Sequence, residues 1–158
     1  MVQAAKNEHM AWHQHVVHVD ARHIDVMGHV NNLVYLKWME EADIEHMKAQ
    51  GLTFELYQAV NCGLVVRQRT LDYLAAAYPG DVLVVHTGSQ LLDALRLRRV
   101  YEVVTQRQPD HAPEPHARAW RQRTRGLLVR GESLWVAVDM HSRKPRRMPP
   151  ELMEAVQR

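Results

Sequence analysis

The stretch Asp25-Val26-Met27-Gly28-His29-Val30-Asn31-Asn32 sets a carboxylate, a glycine, an imidazole and two amides in front of an amphipathic run that closes at Gly51. Tyr35, Leu36, Met39, Ala42, His46 and Ala49 recur at three and four residues, while Lys37, Glu41, Glu45 and Lys48 take the opposite side. That spacing predicts a helix with one buried face. Asn31 or Asn32 can cap its start through a side-chain oxygen, and Gly51 can take the left-handed conformation that ends it. An acid/base group therefore stands beside the unpaired N–H donors of a helix N-terminus, an arrangement suited to hydrolysis.

Upstream, residues 1–11 have no periodicity and read as a flexible N-terminus. From Trp12 the chain alternates, with His13, His15, Val17 and Val19 on one side of a first strand. His13 and His15 invite a metal reading, but no Asp, Glu or Cys constellation completes a ligand set, so a surface or edge-strand cluster is expected and no metal.

Downstream, Leu52 to Val60 reads as a short second helical piece and Asn61-Cys62-Gly63 as a turn. Leu64 to Leu74, Val82 to Leu92 and Leu95 to Gln106 read as strands, with Arg67 and Arg69 on one side of the first of these. Tyr78-Pro79-Gly80-Asp81 is a turn. Three prolines between Gln108 and Pro115 mark a surface loop. Arg118 to Met140 reads as a long last strand bent or bulged at Gly131, with Leu134, Val136 and Val138 on one face and Trp135, Ala137 and Asp139 on the other. A basic tail follows, and Glu151 to Val156 can make a last helical turn. One central helix with five strands points to an α+β domain in which an antiparallel sheet covers the helix.

At 158 residues the chain suits one domain, expected over residues 12–158. No apolar run approaches the ~20 residues that span a bilayer, and Lys6, Asn7, Glu8 and His9 stand where a signal peptide would be apolar. Cys62 is the one cysteine, which excludes an internal disulfide and fits a reducing, cytoplasmic setting. It reads as a small buried side chain in preference to a nucleophile. A net charge of +2 implies no polyanion partner for the whole surface.

Asp25, Gly28-His29-Val30-Asn31-Asn32, Tyr35-Leu36 and Glu40-Glu41-Ala42 resemble the signature of hotdog-fold acyl-CoA thioesterases of the 4-hydroxybenzoyl-CoA thioesterase type, most closely the bacterial long-chain acyl-CoA thioesterases. The likeness continues through Asp72-Tyr73, Gly80-Asp81, Trp135 to Asp139 and Lys144 to Pro149, roughly residues 15 to 150. It implies a hotdog fold, a five-stranded antiparallel sheet wrapped around one long central helix. It also implies a homodimer joined through edge strands, with a homotetramer as a further possibility. The related plant acyl-carrier-protein thioesterases carry Asn where this chain has Met27, so a mechanism using that Asn does not transfer.

A thioester releases a stable thiolate, so its hydrolysis needs an activated water and a polarised carbonyl. Asp25 can serve as general base or nucleophile, and a backbone N–H at the helix start, near Asn32, can bond the carbonyl oxygen. From the residues alone, an Asx turn at Asp25 and simple capping by Asn31 or Asn32 weigh about the same; the resemblance favours catalysis. Gly28 lets the backbone turn, and His29 can orient the thioester or water. His46 reads as a core residue. No cofactor is expected, coenzyme A being part of the substrate. Its phosphates call for cations, for which Arg143, Lys144, Arg146 and Arg147 come first and Arg67 and Arg69 second. Two alternatives stay open: a hotdog hydratase or dehydratase, and a nucleic-acid-binding module using Arg118, Arg121, Arg123, Arg125, Arg130 and the tail. The arginine runs lack interleaved aromatics, so nucleic acid is not the expected partner, and without a long apolar run neither is a membrane.

Overall fold

The computed structural model describes residues 10–107 and 115–158; the expectations for residues 1–9 and for the proline-rich segment 108–114 lie outside them. In chain order the elements are β1 (Ala11–His18), a 3-10 turn (Ala21–His23), α1 (Asn32–Gln50), α2 (Phe54–Val60), β2 (Cys62–Tyr73), β3 (Val82–Leu91), β4 (Arg96–Arg107), α3 (Pro115–Arg123), β5 (Leu127–Asp139) and α4 (Pro150–Val156). The strands form one antiparallel sheet in the order β1-β3-β4-β5-β2, wrapped around α1. This is the architecture that the resemblance implied.

The capping chemistry of α1 works as its residues predict. Asn31 is the cap, its side chain accepting the Leu33 N–H at 2.9 Å, which makes Asn32 the first helical residue. Gly51 ends the helix at φ +78°, and its N–H donates to Lys48 O at 3.0 Å. The buried face comprises Tyr35, Trp38, Met39, Ala42, Asp43, His46 and Gln50. Ala49, expected inside, is exposed. The 3.6-residue turn carries the stripe from His46 to Gln50, leaving Ala49 off the sheet.

Two apolar clusters occupy the space between helices and sheet. Tyr35, Trp38, Met39 and Ala42 of α1 pack with Val17, Leu83, Val85, Val103 and Val129. At the other end Leu52, Cys62, Leu64, Leu97, Trp135 and Ala137 pack with Met148, Leu152, Ala155 and Val156. Each fully buried aliphatic side chain stabilises the fold by about 2 kcal/mol. The second cluster shows which face of the last strand is inside. Trp135 and Ala137 lie on the helix-facing side, covered by the chain's own α4, whereas Leu134 and Val136 are half-buried on the other.

The long strand expected over Arg118 to Met140 is two elements. Residues 115–123 are helical, and Arg125 (φ +53°) and Gly126 (φ +79°) reverse the chain into β5. The arginines of this helix read as a polar strand, while the feature that anchors it is non-local. Arg121 is buried in an ion pair with Asp81, donates to Ala76 O at 3.0 Å, and lies over the Tyr78 ring. The predicted turn at Asn61-Cys62-Gly63 is confined to Asn61, which caps α2 at φ +48°, and β2 begins at Cys62. Gly131 is not a bulge: it pairs regularly with Leu71 and Tyr101. A Cβ there would lie 2.7 Å from the backbone oxygen of Thr70 and against the Leu71 side chain, so glycine is required by close packing. The register shifts fall instead at Val66/Gln68 between β2 and β5, at Val82/Leu83 between β3 and β4, and at Val103/Val104 between β4 and β5, where Leu128 is the extra residue of the last strand. The bulge at Arg67 breaks the alternation that would have put it on the same side as Arg69.

Candidate active site

The stretch 25–32 is built as a small closed turn. Ile24 and Val30 form an isolated antiparallel bridge. Inside it the Asp25 N–H donates to His29 O and the Gly28 N–H to Asp25 O, both at 3.0 Å. Asp25 Oδ1 accepts the Met27 N–H at 2.8 Å, the Asx turn expected of an aspartate here. Asp25 Oδ2 has no hydrogen bond among the described residues. Gly28 at φ +82° supplies the left-handed residue, with open space where its Cβ would be, so its role is conformational. Val26 and Met27 at the tip are exposed.

Both flanks of the turn are tied down. The Val30 N–H donates to Ala77 O and the Asn31 N–H to His23 O, each at 2.9 Å. His23 closes the 3-10 turn, where its Nδ1 accepts the Asp20 N–H at 3.1 Å. Because Ala76 O is held by Arg121, the segment on which Val30 leans is clasped in turn by α3. His29 is half-buried, with Nδ1 3.4 Å from Val30 O. Asn32 exposes its side chain, and its backbone N–H stands ahead of the intrahelical ladder. Asp25, Gly28, His29 and Asn32 are thus brought together at one end of α1.

The predicted coenzyme cations separate into groups. Arg143, Lys144 and Arg147 are exposed. Arg146 Nη1 donates to Val60 O at 2.9 Å and Asn61 O at 2.6 Å, so it closes the C-terminus of α2. Arg67 is exposed at the bulge. Arg69 turns inward over the Tyr101 ring, 3.5 Å from Asp43 and 3.8 Å from Glu40. Tail and turn are far apart in one chain. The tail touches the start of β2, Tyr73 at its end reaches Asn32, and a strand of this length spans about 35 Å.

A polar belt between α1 and the sheet has no counterpart among the sequence-based expectations. Ser89, Arg99, Ser133 and Arg69 are successive cross-strand partners facing Asp43, His46 and Gln50, which share a helix face. Asp43 accepts from Tyr101 at 2.7 Å and Thr87 at 3.1 Å and lies 3.5 Å from Arg99, which is fully buried. Burial pushes the Asp43 carboxyl and the Tyr101 phenol above their ordinary values. Arg99 has only donors and lies 3.1 Å from His46 Nδ1, so that nitrogen accepts and Nε2 carries the proton. Burial and the Arg99 charge take the imidazole down to about 4. His13 stacks on His46 and, with His15, bonds Glu45 at 3.0 Å, so the two strand histidines face the helix. Alternation signals such residues, but only the strand order unites them. Cys62 is buried, and burial pushes its thiol up, as for a packing residue.

A groove of about 510 Å³ lies on the sheet face turned away from α1, between Trp12, Val100 and Glu132. Its arginines are paired, Arg98 with Glu132 and Arg130 with Asp72. Polarity and pairing make it a poor reaction site.

A five-stranded antiparallel sheet around one helix, with a carboxylate turn at the helix N-terminus, defines a hotdog domain. A profile of the thioesterase-like superfamily matches residues 19–156, and the chain belongs to that superfamily. Among curated proteins, the esterase candidate sll0410 of Synechocystis is 28% identical over 144 residues, covering 90% of this chain and 77% of that protein. Slr0204 of Synechocystis, a 1,4-dihydroxy-2-naphthoyl-CoA thioesterase, superposes with a TM-score of 0.72 at 20% identity over 92% of this chain and 96% of its own. SAV2348 of Staphylococcus aureus, solved in complex with CoA, gives 0.73 at 16% identity over 92% and 82%. At these identities the two structures share the fold.

Proposed function

We propose that this protein hydrolyses acyl-CoA thioesters to a carboxylic acid and coenzyme A, with Asp25 as general base or nucleophile. The observation that carries the reading is Asp25 Oδ2, free of hydrogen bonds among the described residues at the start of α1. As general base, Asp25 takes a proton from water while the water oxygen attacks the thioester carbon. The carbonyl electrons move onto oxygen, where an N–H at the helix start, near Asn32, stabilises the oxyanion by ~3 kcal/mol. Collapse expels the coenzyme A thiolate, which takes up the proton. As nucleophile, Asp25 forms a mixed anhydride that water then opens. His29, on the same turn, orients water or thioester.

The site is proposed to be completed by a second copy. β2 ends the sheet with an unpaired edge, and Val65 (41%), Val66 (43%) and Tyr73 (43%) along it are exposed. Antiparallel pairing of two such edges makes a two-fold dimer. It sets the tail beside the start of one β2 near the end of the other, where the second chain's Asp25 turn lies. Arg143, Lys144 and Arg147 then serve the coenzyme phosphates across the interface.

Of the arginines that suggested nucleic-acid binding, Arg121 is buried on Asp81 and Arg130 is paired with Asp72, which weakens that alternative. No described helix is long and apolar enough to cross a membrane. The test is release of free thiol, followed with a thiol dye, from acyl-CoAs of graded length and from aromatic acyl-CoAs. Turnover of one class identifies the acyl group, and no thiol from any of them would sink the proposal.

A further inference from the structure

Tyr73 is the last residue of β2, and its hydroxyl donates to the carbonyl oxygen of Asn32, the first residue of α1, at 3.2 Å. A helix carbonyl has two lone pairs, and the helical ladder uses one; at an exposed first turn the other is ordinarily left to water. Here a phenol anchored on a different element takes it. The Tyr73 ring lies tilted against Tyr35 with centroids 5.9 Å apart. Tyr35 meets Trp38 edge-on at 5.5 Å, and Trp38 meets His23 edge-on at 5.1 Å. An unbroken row of rings thus runs from the edge strand, across the first two turns of α1, to the residue two before Asp25. An ordinary phenol is already a donor at neutral pH, and partial burial raises the Tyr73 phenol further.

We propose that Tyr73 is a positioning residue for the Asp25 site. Its hydroxyl fixes the first turn of α1 relative to the Asp25 turn, so that the helix N–H meets the oxyanion without reorganising. This rests on the thioesterase reading above. The Asn31 cap fixes the Leu33 N–H from the upstream side, and Tyr73 clamps the same turn from the sheet side. Oxyanion donors act through preorganisation, so a looser turn lowers kcat while leaving coenzyme binding alone.

The test replaces Tyr73 by Phe, which keeps the ring and deletes the donor. The expected result is a kcat lower by about tenfold, short of the ~10²-fold cost of a full 1 Å misplacement, with KM and melting temperature unchanged. Amide hydrogen exchange at Leu33 to Leu36 should also quicken. A kcat within twofold of an active wild type, or unchanged exchange, would overturn the proposal. If the wild type hydrolyses no thioester, the functional reading fails by itself and exchange alone decides whether Tyr73 holds the turn. Should Tyr73→Phe not fold, 3,5-difluorotyrosine at position 73 keeps ring and hydroxyl while ionising near neutral pH. Loss of kcat as that phenol ionises, at constant melting temperature, is the expected result, and a pH profile like the wild type's would overturn the claim.

Discussion

The Met27 N–H donates to Asp25 Oδ1 at 2.8 Å, so one carboxylate oxygen builds the turn, while the other, without a hydrogen bond among the described residues, is proposed to do the chemistry. Asp25→Asn preserves the first function, because asparagine offers the same acceptor, and removes the charge the second requires. Activity is expected to fall by at least ~10²–10⁴-fold, the usual worth of general-base assistance, at an unchanged melting temperature. Steady-state kinetics beside a thermal melt reads both. Full activity in a folded variant would return Asp25 to a turn-forming role.

The free β2 edge should be covered in solution. Light scattering is expected to give about twice the 18.4 kDa chain mass, and Val65→Glu with Val66→Glu to reduce it towards one chain by placing like charges across the two-fold. Activity should be lost with the dimer. A wild-type mass of one chain at micromolar concentration would refute the shared site.

Arg146 and its neighbours should part company. Arg146→Ala removes the groups that satisfy Val60 O and Asn61 O and is expected to lower the melting temperature. Lys144→Ala with Arg147→Ala should leave stability unchanged and raise KM for acyl-CoA, less so at high salt because exposed charges are screened. Equal KM for that variant and wild type would move the phosphates elsewhere.

His46 is expected to make the fold acid-sensitive. Its folded value of about 4 lies below the ordinary 6.5, so as pH falls the unfolded chain takes up the proton first. Its contribution is therefore full above about 6.5 and is lost as pH falls towards about 4, at up to about 1.4 kcal/mol per pH unit. His46→Gln, which can still accept from Arg99, is expected to flatten the urea-measured stability profile in that window. An unaltered slope would assign the sensitivity to another group.

Arg121 ties α3 to the segment that supports the Asp25 turn. Arg121→Met strands the buried Asp81 carboxylate, and a loss of ~3–5 kcal/mol in urea unfolding is expected. A loss under 1 kcal/mol would mean that the pair is dispensable.

Much of the site is legible in the amino-acid sequence because it is local. Asp25, Gly28 and Asn31 lie within seven residues, and turn and cap geometry depends on near neighbours, so their residue types carry the information. The helix limits follow from Asn31 and Gly51 for the same reason. The strands are also readable in outline, since alternation needs only one chain segment, although it misleads at Arg118, where an arginine-rich helix mimics a polar strand. What only the tertiary structure decided depends on strand order and register. Which face of β5 is inside was settled by α4 covering Trp135, and Gly131 was explained by Thr70 and Leu71 on the adjacent strand. Asp43, Arg99 and Tyr101, up to 58 residues apart, meet only because β4 crosses beneath α1. Tyr73 acquires its bond to Asn32 in the same way, 41 residues away. Residue spacing encodes hydrogen bonds within a turn, but a contact closed by the sheet has no signal in a single sequence until the pairing of the strands is known.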